Sequence, residues 1–418
     1  MKFKNQLLLL MTVLLLCFTA YLFYSNNNIN HNNNSYLCKT ENRGAFDIGS
    51  GATKIQIAKV KICNDEQIKI EQVYFKKNVA VKYSQDLAES DQNIFSDKII
   101  QAGVDALLEL RNQGLEQLKY KCGDHCQVDV WRGITTEAFR RAQNWKEAQK
   151  NLASTTEGLL LKRLNQSEEA LYGFYPITKL KDFNKYQHVI WDMGGGSTQI
   201  TAFQPTFVEA NFSNKGAKSI ETDLGSSSFS HFLKKILFVT EKKDLSTLNP
   251  INDYNFLEKY AFKYVQNKID LSFQSKQEKT ENFSELYSNK DYIAVGGLLS
   301  ISLPEVMPLI DPNFKKHEYA NIQKISEVPS IKKEDLKLIY QKLKKMSDSE
   351  LEEFSDKMGM NKNYSKVLST NLLLVLNYMD SSLNINKITP ISTDGTDSIL
   401  LSKEIYNKNY WEQDTVLN

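Results

Sequence analysis

Residues 46–55 read FDIGSGATKI, and residues 191–200 repeat the same pattern as WDMGGGSTQI. In each stretch an apolar strand ends in an aspartate, Asp47 or Asp192, and a glycine-rich turn leads into a second strand that begins with a hydroxyl residue. The two aspartates stand about one domain length apart. The pattern therefore predicts a duplicated strand–turn–strand unit.

Two unrelated β-hairpins are the simpler interpretation, because glycine-rich turns between strands are common. The shared aspartate, the coinciding glycines and the domain-sized interval count against it. Glycine lets backbone N–H groups converge on an anion, and an aspartate at a strand end can hold a hydrated divalent cation. We therefore expect the two hairpins to face each other across a cleft and to clamp a chain of phosphates.

Strand and helix patterns alternate around the two hairpins. Helical periodicity covers residues 97–117 and 136–152, and strand patterns cover residues 128–131, 292–295 and 388–391. This alternation predicts an α/β fold.

Length and charge limit the function classes. A length of 418 residues favours two lobes after a terminal targeting segment. We expect an N-terminal anchor or signal segment with a tether (1–36), a first lobe (37–185) and a second lobe with helical insertions (186–418). The 52 basic and 50 acidic residues nearly balance, so no global field attracts nucleic acid, and any polyanion site is local.

The N-terminus predicts export. Lys2 and Lys4 precede an uncharged apolar run at residues 7–24, and an Asn-rich tether follows at residues 26–34. The run is borderline between a signal peptide and a short transmembrane helix. A poor cleavage site favours an uncleaved membrane anchor. We expect an extracytoplasmic, periplasmic protein attached to the membrane through this segment.

Four cysteines lie outside the apolar run: Cys38, Cys63, Cys122 and Cys126. An even number in an exported chain suggests two disulfides, for which three pairings exist. A hairpin that turns near Ser50 favours Cys38 with Cys63, which leaves Cys122 to pair with Cys126. A zinc site that includes His125 is the alternative, but the sequence shows no second pair of ligands with similar spacing.

The hairpins and their surroundings resemble the exopolyphosphatase and guanosine-pentaphosphate phosphatase family (Ppx/GppA). Residues 136–144 are similar to its Thr-x-Ala-x-Arg-x-Ala-x-Asn signature, residues 167–170 to its Glu-Glu-Ala segment, and residues 192–198 to its second loop. The resemblance covers about residues 43–401. It implies a duplicated actin-like (ribonuclease H-like), two-lobed ATPase fold with a cleft between the lobes.

The resemblance also implies the site residues. Glu169 would be the general base, with Glu168 as the fallback, and Asp47 and Asp192 would hold Mg²⁺ or another divalent cation. An ordinary acidic first turn of a helix is the alternative explanation of the glutamate pair. The implied phosphate-binding residues are Gly49, Ser50, Gly51, Arg140, Gly194, Gly195, Gly196, Ser197 and Thr198.

Several positions depart from the family pattern. Gly51 and Ala52 replace an Asn-Ser pair, and Leu298 stands where threonine is common. Residues 395–398 replace a Gly-Leu-Arg-Glu stretch, so a cationic phosphate contact is expected to be missing.

The leading functional hypothesis is hydrolysis of terminal phosphoanhydrides, with inorganic polyphosphate as the substrate. The ending of the second loop at Gln199 and the stretch 168–174 also resemble apyrases, so a nucleoside tri- or diphosphate hydrolase is the alternative. A second alternative is a protein that binds polyphosphate or nucleotide without turnover. The sequence leaves the oligomeric state open, with a homodimer among the options.

Overall fold

A computed structural model describes residues 38–63, 68–207, 215–242, 248–277, 283–360 and 365–412. The predicted anchor at residues 7–24 lies outside these ranges. Within them, every helix is too short or too polar to cross a bilayer.

The described residues form two mixed sheets. The first has the order β3-β2-β1-β4-β5 and the second has the order β10-β11-β9-β6-β7-β8. Their strands are β1 (Cys38–Ile48), β2 (Ala52–Cys63), β3 (Ile68–Ala80), β4 (Val130–Thr135), β5 (Leu160–Arg163), β6 (His188–Met193), β7 (Thr198–Phe203), β8 (Ala217–Thr222), β9 (Asp291–Val295), β10 (Ile331–Lys332) and β11 (Lys387–Pro390).

The strand order confirms the duplication. Strands β6, β7, β8, β9 and β11 occupy the same order in the second sheet as β1 to β5 do in the first. The parallel pairs also correspond, since β1 pairs with β4 as β6 pairs with β9. The second sheet adds β10 as an antiparallel edge strand on β11.

Helices connect and cover the strands. The described α-helices are α1 (Tyr83–Ala88), α2 (Asp97–Cys122), α3 (Glu137–Arg141), α4 (Trp145–Ala153), α5 (Gln166–Phe174), α6 (Ser226–Glu241), α7 (Phe256–Gln277), α8 (Leu303–Val306), α9 (Lys333–Leu343), α10 (Asp348–Lys357), α11 (Leu368–Asp380), α12 (Gly395–Leu401) and α13 (Lys408–Glu412).

The single helix predicted at residues 136–152 is wrong, because the structure has two helices, α3 and α4, there. The chain between them bonds to a distant loop: Gln143 N donates to Asn93 O, and the Asn144 side chain bonds both backbone groups of Phe95. These tertiary hydrogen bonds compete with the helical ones. Local periodicity carries no sign of them.

Each sheet has its own buried core. Phe46, Ile55 and Leu107 belong to the core of the first sheet, and Trp191 and Ile200 belong to that of the second. The last two helices return to the first sheet, where α12 packs on α5 and β4, and α13 packs on β5. The domain boundaries set at residues 36 and 185 stay a prediction.

The chain divides into two compact units. One consists of Met1–Thr40 and Lys61–Ile68, and its described residues include the disulfide between Cys38 and Cys63. The other, Glu41–Val60 and Lys69–Asn418, contains nearly all of both sheets and the disulfide between Cys122 and Cys126. Both predicted pairings are confirmed, and they exclude the zinc alternative because a disulfide sulfur offers no thiolate.

Candidate active site

The two repeated aspartates occupy equivalent places in their sheets. Asp47 is the penultimate residue of β1 and lies opposite Ile134 of β4, and Asp192 is the penultimate residue of β6 and lies opposite Val295 of β9. Both line one cavity of about 350 Å³. The predicted site residues that line this cavity are Asp47, Gly49, Ser50, Gly51, Glu169, Asp192, Gly194, Gly195, Gly196 and Ser197.

The two glycine-rich turns are closed by the same hydrogen bond. Gly49 N donates to Ala52 O at 2.9 Å, and Gly194 N donates to Ser197 O at 3.1 Å. In both copies the donor is the second residue after the aspartate. The turns therefore share a closing hydrogen bond as well as a sequence pattern.

Each turn is also hydrogen-bonded to the N-terminus of a nearby helix. Ser84 N, at the second residue of α1, donates to Ser50 O at 2.9 Å. Ser227 N, at the second residue of α6, donates to Gly195 O at 2.8 Å. The helix N-termini thus hold one carbonyl of each turn.

This anchoring directs the next amide of each turn away from the helix. In a trans peptide the N–H points opposite to the carbonyl of the preceding residue. The N–H groups of Gly51 and Gly196 therefore point away from α1 and α6, and both glycines line the cavity. In the described part of the chain neither amide has a hydrogen-bond partner, so both can donate to an anion.

Glu169 lies in the first turn of α5 and lines the cavity. Its carboxylate forms an ion pair with Arg140 Nη1 at 2.6 Å. Burial raises the pKa of Glu169, and the Arg140 charge partly offsets this rise. A carboxylate with a raised pKa beside two anion-binding turns suits a general base.

The neighbouring Glu168 serves the helix instead. Its Oε2 accepts from Asn165 N at 2.9 Å, and its Oε1 pairs with Lys162 Nζ at 3.1 Å. Glu168 completes a capping box at the start of α5 and is not part of the cavity lining. Its role as the fallback base has no support in this geometry.

Two predicted phosphate-binding residues lie outside the cavity lining. Arg140 contacts Glu169 and also donates to Leu164 O at 3.1 Å. Thr198 is fully buried, and its hydroxyl donates to Leu224 O. In this structure Arg140 binds the carboxylate of Glu169 and Thr198 binds the backbone, and neither side chain lines the cavity.

Lys54 is the main site residue that sequence reasoning missed. Its Nζ lies 2.9 Å from Asp47 Oδ2 and 3.9 Å from Asp394 Oδ2, and it lines the cavity. Burial opposes the charged form of Lys54, but Asp47 and Asp394 outweigh it and raise its pKa. The sequence signal that could have identified Lys54 is its position on β2, close to the first glycine-rich turn. Asp394, the N-cap of α12, lies too far along the chain for a sequence pattern to pair the two.

The unusual stretch at residues 395–398 belongs to the same charge network. Lys76 Nζ on β3 lies 3.1 Å from Asp397 Oδ2 and 3.7 Å from Asp394 Oδ2. An acidic residue in this stretch is thus neutralised by a lysine from the first sheet. The cationic groups of the network come from β2 and β3, while its acids include the N-terminus of α12.

Asp192 has the environment of a cation ligand. Burial and the charge of Glu169 raise the pKa of Asp192 to about 7. Within the described ranges no lysine or arginine forms an ion pair with it. Gly173 and Gly296 pack against its oxygens, since a Cβ on either glycine would come within 2.4 Å of one. A divalent cation bound to Asp192 would relieve the repulsion between the Asp192 and Glu169 carboxylates, so Asp192 fits the predicted Mg²⁺.

Asp47 fits a cation less well, because Lys54 already neutralises it. Among the described residues no three His, Cys, Asp or Glu side chains form a ready-made metal cage. Mg²⁺ commonly binds through one or two carboxylates, waters and the phosphates of a substrate. Asp192 is therefore the residue best placed to hold it.

Comparison with known proteins finds a similarity to one family over part of the chain. The sequence model of the Ppx/GppA phosphatase family matches residues 68–233. The resemblance to Ppx/GppA is confirmed. Comparison with curated proteins finds no significant match.

Solved Ppx/GppA structures share the fold. The family member from Aquifex aeolicus is 15% identical over 89% of this chain and 99% of its own, with a TM-score of 0.58. An exopolyphosphatase from Cytophaga hutchinsonii is 12% identical over 86% of this chain and 98% of its own, with a TM-score of 0.59. The predicted actin-like, two-lobed α/β fold is confirmed. The predicted hydrolase class is confirmed at the level of the Ppx/GppA family, which is a family of phosphatases.

Proposed function

We propose that the chain hydrolyses terminal phosphoanhydride bonds, with inorganic polyphosphate as its leading substrate. One observation carries the proposal: Glu169 and both glycine-rich turns line the same cavity. The match to the Ppx/GppA phosphatase family model and the similarity to the Cytophaga exopolyphosphatase support the substrate class.

In the proposed reaction the glycine-rich turns bind the terminal phosphate and Glu169 activates a water molecule. The N–H groups of Gly51 and Gly196 bind the terminal phosphoryl oxygens. Glu169 accepts a proton from a water molecule while the water oxygen attacks the terminal phosphorus. The bond from that phosphorus to the bridging oxygen breaks, and the shortened chain leaves with the electron pair. Arg140 holds the Glu169 carboxylate in place.

Asp192 would hold Mg²⁺ in this site. When bound, the ion neutralises phosphate charge, which otherwise repels the carboxylates of the cavity. Lys54 supplies a second, built-in positive charge beside Asp47.

A nucleoside tri- or diphosphate is the second candidate substrate. The cavity is lined by five carboxylates and two ammonium groups, namely Asp47, Glu169, Asp192, Glu305, Asp394, Lys54 and Lys316. This excess of negative charge favours a phosphate chain that arrives with its cation, and a nucleoside tri- or diphosphate with Mg²⁺ meets that requirement.

The proposed location is extracytoplasmic. The two disulfides support it, because disulfides persist mainly in oxidising compartments. Attachment to the membrane through residues 7–24, a periplasmic site and a homodimer stay predictions.

The test compares Glu169→Gln with Glu168→Gln as its matched control. Phosphate release from polyphosphate, ATP and ADP is measured with and without Mg²⁺. Loss of a general base should lower turnover by at least about 100-fold in Glu169→Gln, while Mg²⁺-dependent binding is kept. Glu168→Gln, which alters the helix cap and the ion pair with Lys162 outside the cavity lining, should retain turnover. Equal activity in wild type and Glu169→Gln would refute the assignment, and binding without turnover in the wild type would identify a non-catalytic binder.

A further inference from the structure

Glu137, the first residue of α3, joins side chains from separate parts of the first half of the chain. Its Oε2 accepts hydrogen bonds from Ser50 Oγ at 2.8 Å and from Ser84 Oγ at 2.9 Å. Its Oε1 pairs with Arg141 Nη1 at 3.0 Å, and its side chain is only 12% exposed. The first glycine-rich turn is therefore tied to α1 and α3 through one carboxylate.

The same carboxylate also lies against the second turn. A Cβ built on Gly196 would fall 2.4 Å from Glu137 Oε2, and a Cβ on Gly195 would lie 3.9 Å from Ser50 Cβ. Glu137 thus fills the space where the two turns approach each other. Only glycine leaves room for it at position 196.

The hydrogen bond from Ser50 fixes the polarity of its hydroxyl. A serine hydroxyl has one proton and two lone pairs, and a carboxylate can only accept. Because the proton of Ser50 is directed to Glu137, its lone pairs are left for the cavity that Ser50 lines. Ser50 then accepts a hydrogen bond or faces a cation, and the donors of the first turn are its amides.

We propose that Glu137 is a positioning residue, which holds Ser50 in the acceptor state and sets the spacing of the two phosphate-binding turns. This inference rests on the proposed phosphohydrolase function. Position 137 is a variable one in the Thr-x-Ala-x-Arg pattern, so the resemblance assigns it no role. Under this proposal Ser50 remains part of the first turn, while its hydroxyl proton is directed to Glu137.

A double-mutant cycle tests the coupling. Glu137→Gln and Ser50→Ala should each lower kcat/KM by about tenfold, the loss expected for one hydrogen bond to a charged group. The double variant should be no worse than the weaker single variant, because both changes remove the same interaction. Arg141→Gln, which leaves the Ser50 contact in place, should stay within about twofold of wild type.

Multiplying losses in the Ser50 cycle, or a Glu137→Gln variant as active as wild type, would overturn the inference. The rise in Tm caused by polyphosphate with Mg²⁺ is measured for the same variants and should show the same lack of additivity. This second measurement does not depend on turnover. A wild type that binds but releases no phosphate would therefore count against the proposed function alone.

Discussion

At the scale of single residues, the site depends on how each carboxylate is neutralised. Lys54 pairs with Asp47, Arg140 pairs with Glu169, and Asp192 is left for a cation. Arg140 acts on Glu169 in two ways, because it fixes the carboxylate in position and lowers a pKa that burial raises. Removal of Arg140 therefore has a predictable effect on the pH dependence of the reaction.

Arg140→Gln should lower kcat by about 10- to 100-fold, since the base loses its orientation. The pKa of Glu169 should rise further. The proposed base works only when ionised, so activity should begin to fall at a higher pH on acidification than in wild type. Arg140→Lys should restore part of the pH profile because it restores the charge, and Arg141→Gln is the matched control. An unshifted acidic limb in Arg140→Gln would contradict this electrostatic role.

At the scale of elements, α5 and β6 approach each other closely at Gly173. A Cβ on Gly173 would fall 2.4 Å from Asp192 Oδ2, so helix and strand approach closely where both carry site residues. The element that holds Glu169 thereby also confines the carboxylate of Asp192. Gly296, whose φ is +81°, confines the other oxygen from the end of β9.

Gly173→Ala tests this close packing. In an unconstrained helix the change would stabilise the fold by up to about 1 kcal/mol. Here we expect a net destabilisation of about 1–3 kcal/mol, because the methyl group collides with Asp192, and a higher Mg²⁺ requirement. Urea unfolding and a Mg²⁺ titration measure the two effects. Gly51→Ala is the stability control, since its Cβ would meet no atom within 4 Å. A Gly173→Ala protein more stable than wild type would refute the packing argument.

At the scale of the whole molecule, two disulfides cross-link the chain over very different lengths. Cys38 and Cys63 are 25 residues apart, and Cys122 and Cys126 are 4 residues apart. A longer closed loop restricts the unfolded chain more, so the first disulfide should contribute more stability.

The paired variants Cys38→Ser/Cys63→Ser and Cys122→Ser/Cys126→Ser compare the two disulfides. The loop-entropy relation predicts losses of about 3–4 kcal/mol and about 2 kcal/mol, respectively. Equilibrium unfolding in urea under non-reducing conditions measures both. A larger loss from the shorter loop would show that native-state packing outweighs chain entropy here.

The sequence by itself determined the features that local chemistry fixes. The aspartate and glycine positions at residues 47–51 and 192–196 specify two turns closed by the same hydrogen bond, and a hairpin between Cys38 and Cys63 predicts that these two cysteines pair. The alternation of strand and helix specified the α/β class. Such local features depend mainly on residues that are close together in the chain. The pattern at residues 46–55 also recurs at residues 191–200, which strengthens the prediction.

Tertiary structure alone decided how the charged groups are paired. Lys54 reaches Asp394, Arg140 lies on Glu169 instead of lining the cavity, and Glu137 fills the gap between the turns. The break between α3 and α4 likewise depends on a loop about 50 residues away. These contacts join residues that are distant along the chain. Charge pairing acts through space, so no local pattern of residue types records which carboxylate meets which cation.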